Sequence, residues 1–582
     1  MIAKKGPGGA FFFETPQMQA VKNLPIWTPL ASLALALAWL LPNASPPWLA
    51  FHKDAWIAGA IGVVLVVMVW KTRRQVDLPA TVTPLVFVLL MLAGLTFGQW
   101  VFGQIFFVGH ALLGAAYFLA AALSVALAQR WEAAEPHAVG DFFFGAILIA
   151  ALVTTGFMLV QWLQLSQWEV WIQPVPIGRR PFGNLIQPNH AASVLVLAMV
   201  SLLWWAYRGK LGTSVGLLGA SYLSVFVAMT GSRIGLLSLF SVVVATLVMV
   251  LRSRQCGSWK WVLLTQMVLI PLCAVLLSWD WGPNVSMGTG PSGALQRELA
   301  GARQQVYVGY LNAVLNRLWL GYGFAQSVSA QAYLWEIGIA LPGLFTWAHN
   351  AFLDLALWFG LPLSILAVVA VAFTVWRLMS APQSTARWIY MAGVLVIFLH
   401  GMVELPLAYA YFLLPIALLT GAAQAGARLP GVTIPLPVVM GALFSMCLYL
   451  AVLWYDYLRV EHAFNIWRFK HSNIGTYHPK EIPSTLVLDQ FEALLTGLRA
   501  EGALDPRALR GFQEAVLLHP SASALQQLAE VQVRSGQVQA AQQTADLAWL
   551  LSLPDVRKAL ARRWQYLASL NPAYTAVTWR ED

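Results

Sequence analysis

Two short polar segments carry the residue types in this chain that are best suited to chemistry. The first runs from Gly178 to His190 and the second from Trp347 to Asp354. Both adjoin long apolar stretches, so they bring arginine, amide and imidazole side chains to a membrane boundary. Guanidinium groups bind phosphate oxygens in bidentate fashion and stay charged, and imidazole can accept a proton near neutral pH. The combination suits an anionic, lipid-linked substrate.

The candidate site residues are polar and lie near the ends of apolar stretches. They are Arg179, Arg180, Gln187, Asn189, His190, Arg233, Arg303, His349, Asn350, His400 and Glu404.

Three of these residues have a specific expected role or partner. His349 is the candidate general base, because it starts a helix after a long polar loop and its pKa range suits proton transfer from a hydroxyl. Glu404 at a membrane boundary is costly unless it is paired, so we expect an arginine on the same side as its partner. Arg233 follows a tight turn between two apolar helices and is expected to face a cavity or a partner.

The composition indicates a polytopic membrane protein. Hydrophobic residues make up 59% of the chain, charged residues only 10%, and the mean hydropathy is +0.66. The net charge of +10 does not indicate a nucleic-acid partner, because most cations flank apolar spans where membrane orientation explains them. Three cysteines without a metal-type spacing are best explained as buried small apolar residues.

About thirteen apolar stretches are long enough to approach a membrane span of about 20 residues. They lie near residues 26–42, 54–70, 80–98, 103–128, 141–165, 190–207, 211–229, 234–251, 259–279, 351–376, 386–403, 405–425 and 433–457. Lys and Arg concentrate in alternate loops, which predicts that the tail at 1–25 is cytoplasmic. The pattern of residues in this tail does not predict a removable signal. The predicted fold is therefore all-α, with a transmembrane domain at 26–457 and an extracytoplasmic region at 458–582.

Two regions outside the spans are predicted to be helical. The long loop 280–350 contains an amphipathic helix near Leu295–Leu318, which carries Arg303. Ser523–Leu551 has the pattern of one helical-repeat hairpin with a turn at Gly536, as in TPR proteins. This hairpin could either recruit a partner or stabilise the neighbouring domain, and its sequence does not decide between the two.

The nucleotide- and metal-binding motifs of common enzymes are missing from the sequence. No P-loop, dinucleotide-binding glycine pattern, HExxH or GxSxG stands in a suitable context, and no acidic pair is placed to hold a metal. We therefore expect no cofactor and no metal, with arginines neutralising a diphosphate instead.

The polar segments together resemble the O-antigen ligase and polymerase superfamily, and in particular the bacterial protein O-oligosaccharyltransferases of the PglL type. The resemblance rests on five features in this order: Pro181–His190, Gly231-Ser232-Arg233, Arg303 with Gly321-Tyr322-Gly323, His349-Asn350, and Glu404–Tyr411. It covers most of the chain from about residue 20. The Gln-Pro-Asn-His segment and the extra C-terminal region favour protein glycosylation over lipopolysaccharide ligation.

The resemblance implies a donor of undecaprenyl-pyrophosphate-linked glycan and transfer to Ser or Thr hydroxyls of an exported, pilin-like protein. Arg233 and Arg303 would hold the pyrophosphate, and His349 would activate or orient the acceptor. Gln187, Asn189 and His190 would line the acceptor or sugar site. The enzyme would be a multi-pass protein of the bacterial inner membrane, in contact with membrane lipids, with its active site facing the periplasm.

Two other functions remain open at this point. Within the superfamily, the chain could join O-antigen to lipid A-core or polymerise the repeat. A membrane transporter or flippase is the alternative from another class, although the polar residues cluster at one boundary and no inverted repeat is visible.

Overall fold

The structure is a computed structural model. It describes residues 27–74, 80–168, 170–175, 180–252, 259–278, 292–381, 384–476, 481–552 and 554–580. The predicted tail 1–25, Arg179 and the first part of the long loop, up to residue 291, lie outside the described residues.

Most of the described residues are helical and only two short strands occur among them, which confirms the predicted all-α class. The first nine helices are α1 (Trp27–Leu40), α2 (Phe51–Thr72), α3 (Pro84–Val101), α4 (Val108–Ala134), α5 (Ala138–Trp162), α6 (Pro188–Tyr207), α7 (Thr213–Met229), α8 (Arg233–Arg252) and α9 (Trp259–Ser278). Proline occupies the first turn of α3 and α6, where the missing N–H costs no hydrogen bond.

Three helices follow in the region predicted as a long loop and at its end. They are α10 (Ser292–Asn316), α11 (Ser327–Glu336) and α12 (Ala351–Phe359). The amphipathic helix predicted at Leu295–Leu318 is therefore confirmed as α10. The loop also contains α11, which sequence reasoning did not predict.

The four remaining helices of the membrane domain are α13 (Leu361–Ser380), α14 (Thr385–Gly401), α15 (Ala410–Gln424) and α16 (Leu436–His471). Seven described helices are long and apolar enough to cross a membrane, namely α2 to α6, α13 and α16, and shorter apolar helices coincide with the other six predicted spans. The chain is a multi-pass membrane protein.

The single span predicted at 351–376 is wrong as a continuous helix. Gly360 separates α12 from α13 with a φ of +86°, a conformation that few other residues adopt. A Cβ at Gly360 would also overlap the main chain of Trp319, and Leu361 N donates to Leu318 O at 2.8 Å. The segment of the long loop that follows α10 therefore packs against the break between α12 and α13.

Two short strands, β1 (Ala80–Val82) and β2 (Val432–Ile434), pair antiparallel and form the sheet of the described residues. Both segments fall at the starts of predicted spans. The pairing ties the chain entering α3 to the chain entering α16.

The C-terminal region consists of α17 (Asp489–Leu498), α18 (Pro506–Leu518), α19 (Ala522–Arg534), α20 (Val538–Leu551) and α21 (Pro554–Leu570). The hairpin predicted at Ser523–Leu551 is confirmed: α19 and α20 pack together, and Gly536 has a φ of +76° in the turn. Beyond residue 457, where the predicted transmembrane domain ends, α16 continues without interruption to His471 and its outer half joins the C-terminal core.

The C-terminal region is docked on the membrane domain by hydrogen bonds and packing. Asp489 accepts from Val108 N at 3.1 Å and from Gly109 N at 2.9 Å, and so caps the first turn of α4. The main chain of Val487 approaches Gly109 so closely that a Cβ there would overlap its carbonyl oxygen. Asp456 of α16 in turn accepts from the amides of Leu486 and Val487.

Candidate active site

Three separate parts of the chain converge on Glu404, which lies in the turn between α14 and α15. One carboxylate oxygen accepts a hydrogen bond from Asn189 Nδ2 at 3.2 Å and is ion-paired with Arg303. The other lies 3.0 Å from His349 Nδ1. The expected pairing of Glu404 with an arginine on the same side is therefore present, and Arg303 is that arginine.

The segment around His349 is held in place from both sides. His349 has a φ of +58°, and Tyr307 of α10 donates to its carbonyl oxygen at 3.2 Å. Asn350 caps α12 by accepting from Phe352 N and Leu353 N, and its Nδ2 donates to Met402 O at 3.0 Å. The cap thus joins the start of α12 to the turn that carries Glu404.

A second polar layer lies beneath this cluster at the start of α6. His190 is fully buried, and its Nδ1 lies 2.8 Å from the hydroxyl of Tyr411. The His190 ring also contacts the ring of His400, whose Nδ1 lies 2.8 Å from Ser193 Oγ. These contacts fix the first turn of α6 and so fix the position of Asn189.

The charges in the cluster determine which proton-transfer chemistry is available. Burial favours a raised pKa for the Glu404 carboxyl, but the hydrogen bond from His349 and the charge of Arg303 outweigh it, so the pKa is lowered. A carboxylate can only accept hydrogen bonds, so in the neutral imidazole Glu404 places the proton on His349 Nδ1. His349 Nε2 is then the nitrogen that can accept a proton.

The side chains of the cluster differ in their exposure to solvent. The Glu404 side chain is 8% exposed, whereas those of His349 and Arg303 are 23% and 41% exposed. A substrate can therefore reach the His349 imidazole and the Arg303 guanidinium, while the buried Glu404 carboxylate holds both in position.

The other candidate residues occupy neighbouring positions. Gln187 precedes α6, where its carbonyl oxygen accepts from His190 N at 3.1 Å. Arg180 donates to Gly231 O at 3.1 Å, so it lies beside the turn that carries the exposed Arg233. That turn lies near the start of α6, because a Cβ at Gly235 would overlap the Cβ of Ala192. No described contact joins Arg233 directly to Glu404.

A cavity of about 1060 Å³ opens beside the cluster. Apolar side chains of α13, α14 and α15 line its membrane part, and Glu404 and Leu405 line it at the outer ends of these helices. It continues to α17 and to the start of α19 in the C-terminal region. In the part of the chain that the structure describes, no group of three or more His, Cys, Asp or Glu side chains is placed to hold a metal ion.

Sequence reasoning missed several residues that support the cluster. Tyr307 follows Arg303 by one helical turn, and this i, i+4 spacing places both on one face of α10. Ser193 follows His190 by three residues on α6 in the same way. Such spacing was visible in the sequence, whereas the contact of Tyr411 with His190 depends on the packing of α15 against its neighbours.

Comparison with known proteins shows which families the chain resembles. A family model described as O-antigen ligase matches residues 218–368, and one described as protein glycosylation ligase matches residues 181–206. The general O-oligosaccharyltransferase of Acinetobacter baylyi is 27% identical over 495 residues, which cover 81% of this chain and 82% of that protein. The ComP-specific O-oligosaccharyltransferase of the same organism is 21% identical over 399 residues, 66% of this chain and 69% of that protein. The chain therefore resembles the O-antigen ligase superfamily and its protein-glycosylating members.

The resemblance to the PglL type is thereby confirmed, and the chain is a glycan-transferring enzyme. Its O-antigen ligase match contains Arg233, Arg303 and His349, and its glycosylation-ligase match contains Asn189. Glu404 lies beyond both matches. The candidate site therefore combines both matched segments with a turn that neither contains.

Proposed function

We propose that this enzyme transfers a glycan en bloc from undecaprenyl diphosphate to a Ser or Thr hydroxyl of an exported, pilin-like protein. The reaction takes place at the periplasmic face of the bacterial inner membrane. The observation that carries the proposal is the convergence of Arg303, His349 and Asn189 on the buried Glu404. The relatives support it, because both are named O-oligosaccharyltransferases.

The donor's diphosphate is assigned to the exposed guanidinium of Arg303. A guanidinium has five N–H donors, so pairing with Glu404 leaves donors for phosphate oxygens. Arg233 and Arg180 supply further positive charge from the neighbouring turn. The polyprenyl chain is assigned to the apolar part of the cavity between α13, α14 and α15.

The acceptor hydroxyl is assigned to His349. As the hydroxyl oxygen attacks the anomeric carbon, His349 Nε2 takes its proton and the bond from that carbon to the phosphate oxygen breaks. The diphosphate leaves with the electron pair, and Arg303 stabilises the added negative charge. Glu404 holds the imidazole in the required tautomer and stabilises the imidazolium that forms.

Transfer from a purified lipid-linked glycan to a candidate pilin tests the proposal, with the His349→Ala variant beside the wild type. General-base assistance contributes on the order of 10²–10⁴-fold, so we expect transfer to fall by about that factor. Donor binding should stay close to the wild-type level. His462 is exposed on α16, far along the chain from the cluster, and His462→Ala is the matched control.

Loss of donor binding in His349→Ala would instead make His349 a ligand of the diphosphate. Unchanged transfer would remove it from the reaction. A parallel assay with lipid A-core as acceptor tests the second candidate function, which the O-antigen ligase match favours. Transfer to lipid A-core without transfer to any pilin would replace the proposed acceptor.

A further inference from the structure

The outer end of the cavity contains polar groups that the protein itself does not satisfy. Gln490 of α17 is 0% exposed, and neither atom of its side-chain amide has a hydrogen-bond partner. His519 follows α18, and its Nε2 is also buried without a partner. Both residues line the cavity that opens beside Glu404, together with Phe491 and Ser521. We call this set, Gln490, Phe491, His519 and Ser521, the outer chamber.

Unsatisfied buried amides are uncommon, because a buried donor or acceptor without a partner carries its full desolvation cost. An apolar side chain of the same shape would avoid that cost at position 490. A glutamine that faces a cavity with both amide atoms unpaired is therefore explained most simply by a ligand that supplies the partners.

The chamber has the chemistry of a site for an uncharged, hydroxyl-rich ligand. Burial, followed by the neighbouring His110, lowers the pKa of His519 to about 3, so the imidazole is neutral and offers one donor and one acceptor. No lysine or arginine is among the described residues that line the cavity. The His519 ring stacks on Phe491 with centroids 4.4 Å apart, which adds a flat surface beside the polar atoms.

The cavity places three kinds of chemistry in one continuous space. Its membrane part is apolar, Glu404 is the member of the cluster that lines it at the outer ends of the membrane helices, and the outer chamber lies in the C-terminal region. A lipid-linked glycan has the same three parts: an apolar chain, a charged diphosphate and a neutral saccharide. A peptide bound by strand addition would need a free strand edge, whereas helix ends and side chains form this chamber.

We propose that the outer chamber is a subsite for a distal sugar of the donor glycan, in which Gln490 and His519 hydrogen-bond sugar hydroxyls. The C-terminal region would then discriminate between donors by the length of their glycan. This inference rests on the proposed function, since it requires a polyprenyl-diphosphate donor bound at Arg303.

The test compares donors that differ only in glycan length on the same polyprenyl diphosphate, from one sugar to four. The full-length enzyme is assayed as wild type, Gln490→Leu and His519→Phe, and kcat/KM for each donor is measured at a fixed pilin acceptor. We expect each variant to lose about tenfold or more with the longer donors, equivalent to about 1.4 kcal/mol, and to match the wild type with the one-sugar donor. Gln513→Leu, at an exposed position of α18, is the matched control and should leave every donor unchanged.

Stability provides a second readout. Since the Gln490 amide has no partner in the protein, Gln490→Leu should not lower the unfolding temperature. Equal loss with all donors, or no loss with any, would overturn the subsite, and so would an effect confined to KM for the pilin, which would assign the chamber to the acceptor. Failure of the wild type to transfer any glycan would instead refute the proposed function.

Discussion

At the scale of single residues, the buried charge of Glu404 determines the geometry of the site. Its carboxylate is partnered by side chains from the starts of α6 and α12 and from the middle of α10. Removing one partner of a buried ion pair costs about 3–5 kcal/mol, because the remaining charge is left uncompensated. Substitutions in the cluster therefore combine effects on geometry and on charge, and a useful experiment has to separate them.

Arg303 offers such a separation. If its guanidinium binds the donor's diphosphate, Arg303→Ala should lower transfer by about 10²–10³-fold, the loss typical for one charge-stabilising donor. Arg303→Lys keeps the charge but loses the bidentate geometry and should retain part of the activity. For substitutions of Arg233 we expect the same ranking of transfer rates, with Lys below the wild type and Ala below Lys. Initial rates of transfer at equal protein level measure both series, and Arg317→Ala, an exposed arginine just after α10, is the control.

The double variant Arg303→Ala/Glu404→Gln tests the alternative in which Arg303 only neutralises Glu404. In that case, removing both charges should restore the donor binding lost in Arg303→Ala, although transfer stays low because glutamine cannot stabilise the imidazolium. If Arg303 binds the diphosphate, the double variant should be no better than the single one. Wild-type rates in both Arg303→Ala and Arg233→Ala would exclude the two arginines from the site.

The residue types at the site were predictable from the sequence, but their contacts were only partly so. Arginine, histidine and glutamate next to apolar spans are costly, and this cost indicated that Glu404 would be paired. It could not indicate that His349 shares the same carboxylate, since that contact depends on the turn after α14 packing against the start of α12. Arg233 was predicted to hold the pyrophosphate together with Arg303, yet no described contact joins Arg233 to the Glu404 cluster.

At the scale of elements, helix ends carry both the site and the attachment of the C-terminal region. α6, α12 and α15 all begin beside Glu404, and Asp489 of α17 caps the start of α4. Period and composition predicted the helices well because apolar runs of this length are unambiguous. The break at Gly360 was not predicted, since its cause is the close approach of a distant main-chain segment, Leu318–Trp319.

Asp489→Ala tests whether the cap holds the C-terminal region on the membrane domain. Loss of such a cap costs about 0.5–2 kcal/mol, so we expect faster amide exchange at Val108 and Gly109 and faster proteolysis after α16. Asp505 caps α18 within the C-terminal region by accepting from Arg507 N and Ala508 N, and Asp505→Ala is the matched control. It should destabilise α18 without changing exchange at α4. Equal exchange at α4 in both variants would show that the cap does not hold the two regions together.

At the scale of the whole molecule, the two ends of the membrane helices differ in their charged contacts. Lys71 at the end of α2 lies over the ring of Trp27, which also contacts Trp131 near the end of α4. On the same face Arg208 pairs with Asp141 at the start of α5, with 3.0 Å between their charged atoms. The Glu404 cluster and the docked C-terminal helices lie at the opposite ends of these helices. Basic residues are concentrated at the face predicted to be cytoplasmic.

This arrangement leads to a prediction about orientation in the membrane. α2 ends on the face rich in Lys and Arg, and α16 ends among the C-terminal helices on the face of the Glu404 cluster. A reporter that folds only in the cytoplasm should therefore be active when fused after Trp70 and inactive when fused after His471. A reporter that needs the periplasm should give the reverse result at both positions. If either reporter is active at both positions, the two faces do not lie on opposite sides of the membrane, and a periplasmic active site fed by a donor in the outer leaflet would be excluded.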